Sequence, residues 1–283
     1  MGAGHWRWIV VALLSLALGS RTQAEDSPEE MARAAKLEFL TQKWKAVKVH
    51  PAGKPQGAYG FQEAPLFRWQ NPISGADGAI FVWTSGGRPV LLCKTHVNDK
   101  TRGYIASTVS LAREPIVAER EGATFWKALE PGIQPETVAE AAAPAATENA
   151  RLVQMRAIAR RYQMESDWGE ENQSQWELRL LPTPLMRYTS PDHEVVHGAI
   201  FGYAQGTNPE AIVVVEAVRS EGKVAWQAAP ARLSAYAIRA RIDGRKVLDV
   251  PQIKVTRDGE TYRHQYVRLT PYPFEAAVPE ESR

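Results

Sequence analysis

Residues 64–83 read A-P-L-F-R-W-Q-N-P-I-S-G-A-D-G-A-I-F-V-W, and residues 183–203 read T-P-L-M-R-Y-T-S-P-D-H-E-V-V-H-G-A-I-F-G-Y. Both contain Pro-Leu-apolar-Arg-aromatic, a polar turn, then Gly-Ala-Ile-Phe-x-aromatic. Pro65 falls on Pro184, Arg68 on Arg187, Gly78 on Gly198 and Phe81 on Phe201. Further along, Leu111, Ile116, Ala118 and Gly122 align with Leu233, Ile238, Ala240 and Gly244. A frame stated twice reports scaffold. A residue present in one copy needs its own explanation.

Working outward, each copy opens with a helix pattern. Ser27-Pro28-Glu29-Glu30 supplies an N-cap, a proline at the first helical position and an acidic first turn. Met31, Ala34, Leu37, Leu40, Trp44 and Val47 then form one apolar stripe. Thr147 caps the second helix, whose stripe is Leu152, Met155, Ala159 and Tyr162. Strands follow at 66–70, 79–84, 90–97, 104–112 and 116–121, and again at 185–189, 199–204, 211–219, 224–233 and 237–243. Ser85-Gly86-Gly87, Glu221-Gly222, Asp243-Gly244 and Asp258-Gly259 are tight-turn signals, so consecutive strands pair antiparallel. An extra hairpin, 253–257 with 261–269, has no counterpart in the first copy. The expected fold is α+β: a tandem duplication, each copy an N-terminal helix on a twisted antiparallel sheet of about five strands. Element order alone makes it reminiscent of cystatin-like or nuclear-transport-factor-2-like cones.

Residues 1–24 read as a secretory signal peptide. Arg7 precedes an apolar run from Trp8 to Gly19, which is too short for a bilayer about 30 Å thick, and Thr22-Gln23-Ala24 offers small residues for cleavage. An uncleaved anchor is the competing reading. The expected layout is a signal peptide (1–24), a first domain (25–134), an Ala/Pro-rich linker (135–147), a second domain (148–275) and a tail (276–283). Removal of Arg7 and Arg21 leaves equal numbers of basic and acidic residues. A neutral surface gives no footprint for nucleic acid, and no later run would cross a membrane as a helix. The expected location is the periplasm, cell envelope or medium. Cys93 is the single cysteine and sits in an apolar strand, so it reads as a small buried hydrophobe.

His193-Glu194-Val195-Val196-His197 matches H-E-x-x-H, which on a helix presents two histidines to zinc with the glutamate as base. Glu216 is the nearest later carboxylate for a third ligand. Three features oppose that chemistry. The helix would be very short. Ile200 and Tyr203 occupy the places where the extended zinc motif has glycine and histidine. The aligned turn of the first copy, Ile73 to Asp77, has no histidine. His50, His96 and His264 lie far apart, and no catalytic residue or cofactor is assigned. Trp69 with Tyr188, and Trp83 with Tyr203, read as core aromatics, and Arg68 and Arg187 as structural ion-pair partners. A ligand cleft, if present, is expected at the junction of the halves.

The runs Glu177-Leu178-Arg179-Leu180-Leu181-Pro182-Thr183-Pro184-Leu185-Met186-Arg187-Tyr188 and Gly198-Ala199-Ile200-Phe201-Gly202-Tyr203-Ala204-Gln205-Gly206-Thr207-Asn208-Pro209-Glu210 resemble a family of uncharacterised exported bacterial proteins typical of planctomycetes. That resemblance implies export and a tandem layout, and carries no established activity. The expectation is a non-catalytic binding or interaction protein of the envelope with a protein or small-molecule partner. The alternative is a zinc hydrolase built on His193, Glu194 and His197.

Overall fold

A computed structural model describes residues 27–100, 103–167, 175–253 and 264–269. The signal peptide, the tail 276–283 and Asp258-Gly259 lie outside the described residues. The N-terminal half runs α1 (Pro28–Lys45), β1 (Val47–Pro51), β2 (Gly60–Asn71), β3 (Ala76–Ser85), β4 (Arg88–Asn98), β5 (Gly103–Ser110), β6 (Ile116–Arg120), β7 (Ala123–Ala128) and β8 (Glu136–Thr137). The C-terminal half runs α2 (Glu148–Arg160), β9 (Tyr162–Asp167), β10 (Gln175–Glu177), β11 (Arg179–Leu180) and β12 (Met186–Ser190). It continues through a 3₁₀ turn (Pro191–His193) to β13 (Val195–Gln205), β14 (Asn208–Ser220), β15 (Lys223–Arg232), β16 (Ala237–Ile242), β17 (Arg245–Val250) and β18 (His264–Leu269).

These strands make four sheets. Sheet 1 has the order β1-β6-β7 and sheet 2 the order β18-β5-β4-β3-β2. Sheet 3 is β11-β13-β14-β15-β8 with β12 also on β13, and sheet 4 is β10-β9-β16-β17. The expected α+β fold of one helix on one five-stranded sheet, twice in tandem, is therefore overturned. The described chain is mostly strand, 55%, with two α-helices and four sheets. The strands expected fifth, β6 and β16, leave the meander. They pair instead with β1 and β9, the short strands that directly follow the helices.

Burial explains the change. Strands β3, β4, β13 and β14 are buried along nearly their whole length, so both faces of their sheets need covering. Outside sheet 2 lie α1 and sheet 1, which enclose Leu40, Trp44, Val49, Phe81, Trp83, Ile116 and Trp126. Outside sheet 3 lie α2 and sheet 4, around Met155, Met164, Phe201, Val213, Trp226 and Ile238. Between sheets 2 and 3 runs a third apolar layer, with Ile80, Val82, Leu92 and Val109 from one side and Ile200, Ile212, Val214 and Ala231 from the other. A helix covers only part of one outer face: α1 buries just Leu40, Thr41 and Trp44.

Local chemistry sets the ends. Ser27 forms a reciprocal capping box with Glu30, and Thr147 accepts from the Ala150 N–H. The α1 helix stops at Lys45, and Val47 turns from its stripe into β1. The stretch expected as a linker is tied down. Glu136–Thr137 pair with β15, Trp226 Nε1 donates to Ala142 O at 2.9 Å, and Arg151 donates to Ala145 O and Ala146 O. The second strand of the expected extra hairpin, β18, pairs with β5 of the opposite half.

Candidate functional site

The charged residues that sequence places in apolar strands meet across the central layer. Arg88 opens β4 after the Gly86-Gly87 turn, where both glycines hold positive φ. Its Nε donates to Glu216 Oε1 at 2.7 Å, and Tyr188 Oη donates to the same oxygen at 2.7 Å. Arg113 Nη2 donates to Glu216 Oε2 at 3.0 Å. The Arg88 and Glu216 side chains are 2% and 1% exposed. Arg88 Nη1 also donates to Leu111 O at 3.0 Å. A second buried pair lies along the same two strands. Lys94 Nζ donates to Glu210 Oε2 at 3.1 Å and to Pro209 O at 2.8 Å, and Asn208 Nδ2 donates to Glu210 Oε1. The cations come from β4 and the carboxylates from β14, in opposite chain order, so the pairs fix how the sheets sit on each other.

Electrostatics follow from this burial. Burial, with Glu216 beside it, holds the Tyr188 phenol well above the ordinary range. Burial lowers Lys94, against the pull of Glu210. His193 is lowered by burial and by the Arg88 and Arg113 charges, so neutral imidazole is favoured. His197 is lowered by burial and by Arg187 and Arg151.

The H-E-x-x-H residues do not lie on an α-helix. Pro191–His193 is one 3₁₀ turn, Glu194 has left-handed backbone (φ 57) and an exposed side chain, and Val195 already belongs to β13. His193 Nε2 lies 3.3 Å from Ser85 Oγ at the seam between the halves. His197 pairs with Ala217 and Gly198 with Glu216. Side chains alternate along a strand. Glu216 therefore points into the central layer with Val214 and Val218, while His197 lies with Ala199 and Phe201 on the α2 side. The sheet separates His197 from Glu216. Among the described residues, no three His, Cys, Asp or Glu side chains gather where a metal ion would fit.

Trp69 and Tyr188 are buried, and each ring crosses a glycine of the next strand. A Cβ on Gly78 or Gly198 would lie 2.4 Å from a carbon of that ring. Trp83 Nε1 donates to Val47 O, and Tyr203 Oη to Ala159 O. Arg68 pairs with Asp77 at 3.3 Å and Arg187 with Glu148 at 3.7 Å. His50 contacts Pro51 O and Glu119, and the His96 ring centre lies 5.2 Å from that of Trp69 with the planes tilted by 59°. Cys93 is fully buried and free.

Where a cleft between the halves was expected, apolar side chains and the two ion-pair groups occupy the junction. Recesses of about 200–210 Å³ lie elsewhere. One sits beside α1 at Arg33, Lys36, Asn71 and Asp99, and two flank Arg161 along residues 136–142. The sequence signal for the seam is a carboxylate ending the apolar run Ile212 to Val215, which demands a partner. Arg88, Arg113 and Lys94 escape a sequence reading because their partners lie more than 100 residues away. No helix among the described residues is long and apolar enough to cross a membrane. Searches for a matching family model, a curated relative and a solved structure found none for this chain.

Proposed function

We propose that the chain is an exported, non-catalytic binding or interaction protein of the periplasm or cell envelope. The use made of Glu216 carries this reading. Both its oxygens are engaged by Arg88, Arg113 and Tyr188, so the carboxylate serves cohesion between the halves rather than metal or proton transfer. Charged groups in the central layer spent on cohesion leave recognition to the outer surface, where the recesses beside α1 and Arg161 mix both signs of charge. The apolar segment 8–19 and the resemblance of the 177–188 and 198–210 runs to exported bacterial proteins support export.

The test is expression of the full chain with its own N-terminus in a bacterial host, then fractionation and N-terminal sequencing. The expected product begins at Glu25 and lies outside the cytoplasm. Cytoplasmic protein beginning at Met1 would overturn export. Elemental analysis after purification without added metal addresses the chemistry. About one zinc per chain, lost in His193→Ala together with a hydrolytic activity, would replace this reading with the hydrolase.

A further inference from the structure

Arg232 ends β15 and is 3% exposed. Its Nη2 donates to Pro251 O at 2.5 Å, while Nε and Nη1 are buried without any partner. No carboxylate among the described residues pairs with it. Burial alone pushes the guanidinium down to about 10. A buried charge without a counter-charge is among the costliest features a fold carries. Packing does not demand it: the aligned position of the first half is Ser110, whose hydroxyl caps the Ala112 N–H.

The surroundings add two more orphan groups. Strand alternation puts Arg232 on the face of sheet 3 that carries Trp226 and Ala228, which looks toward sheet 4. Its bond to Pro251 brings it to the end of β17. From Val250 a cross-strand row of sheet 4 runs through Ile238 on β16 to Ser166 on β9. Ser166 shares the inward face of β9 with Tyr162 and Met164, and its buried Oγ has no partner. Ser234, in the connection from Arg232 to β16, is also buried with an unpartnered Oγ. The neighbouring acids on sheet 4 are engaged elsewhere: Asp167 and Asp249 both pair with Arg239.

We propose that Arg232, with Ser166 and Ser234, forms a site for one small oxyanion group, a carboxylate or a phosphate. Pro251 O takes one Nη2 hydrogen, so one two-donor edge of the guanidinium, Nε with Nη2 or Nη1 with Nη2, stays free to meet two oxygens of such a group, and hydroxyls complete the shell. The site stands apart from the export and binding reading, because it rests on one buried charge that no carboxylate among the described residues pairs with.

The test uses the full chain dialysed free of both anions. Inorganic phosphate and acetate are titrated separately by calorimetry, with chloride added to hold ionic strength constant. Saturation at one anion per chain by either probe is the expected result. Phosphate alone marks a phosphate ester as the ligand class, and acetate alone a carboxylate. Arg232→Met should abolish saturation, Arg232→Lys weaken it at least tenfold, and Ser166→Ala weaken it severalfold. Should Arg232→Met fail to fold, Ser166→Ala and Arg232→Lys carry the test. No saturation by either anion in the unaltered protein overturns the proposal, as does unchanged binding in every folded variant.

Discussion

Glu216→Gln probes the seam most directly. The amide keeps the volume, removes the charge and turns one acceptor into a donor. Arg88 Nε and Tyr188 Oη share Oε1 while Arg113 takes Oε2, so either amide orientation sets an N–H against a donor. The two arginines respond differently. Arg113 is 39% exposed and turns to water, whereas Arg88 is 2% exposed and cannot. The loss is therefore dominated by a guanidinium left buried without its counter-charge, about 3–5 kcal/mol for breaking such a pair. In a chain of this size each kcal/mol lowers the midpoint by about 2–4 °C, giving a fall of roughly 6–20 °C. Urea unfolding followed by tryptophan fluorescence measures the change as a lower midpoint at constant slope. Arg88→Met combined with Glu216→Leu removes both charges and should recover most of the loss, since apolar replacement of a buried pair is near neutral or favourable. A loss below about 1 kcal/mol in Glu216→Gln, or a double variant no better than the single, refutes the reasoning.

Three further outcomes are expected. Gly198→Ala should cost about 1–3 kcal/mol, because its Cβ would lie 2.4 Å from a Tyr188 ring that Glu216 pins. Gly202→Ala meets the side-chain ends of Leu181 at 3.0 Å and Leu185 at 3.3 Å, which can shift, and should cost less; equal thermal melts for the two would defeat this account. Burial and Lys94 push the His96 imidazole from 6.5 to about 3. Between those values the unfolded chain takes up a proton that the folded chain refuses, so stability falls on acidification, by at most about 1.4 kcal/mol per pH unit from this group. His193 and His197 act in the same direction. Urea midpoints measured from pH 4 to 7 should show the slope, and His96→Leu should reduce it. The Cys93 thiol is fully buried and raised well above its ordinary value, so a thiol reagent should label it only as fast as the protein unfolds. Rapid labelling of folded protein would contradict its placement.

The turns were legible because their chemistry is local. Glu221-Gly222 and Asp243-Gly244 adopt the positive φ that a tight hairpin needs, and Ser27 and Thr147 cap the helices. Sheet membership was not legible. Val47–Pro51 and Tyr162–Asp167 are short, and what makes them strands is pairing with β6 and β16, some 70 residues further along. Continuous apolar runs such as Ile212 to Val215 state that both faces are covered without naming the cover. The same limit hid the seam. In the sequence, Glu216 stood out only as the nearest later carboxylate that could join two histidines four positions apart as a third zinc ligand. Their helical spacing lost its meaning once residues 195–197 became strand, because alternation sends His197 and Glu216 to opposite faces.

The pairing of β18 with β5 has a consequence for synthesis. Strand β5 is complete at Ser110, yet its outer edge gains a neighbour only when residues 264–269 emerge. About 150 residues separate the two, which at typical elongation rates is roughly 8–30 s. Through that interval a growing chain carries a finished hairpin with an open row of N–H and C=O groups, a template for any passing strand. Shortening the chain before His264 would make that transient exposure permanent.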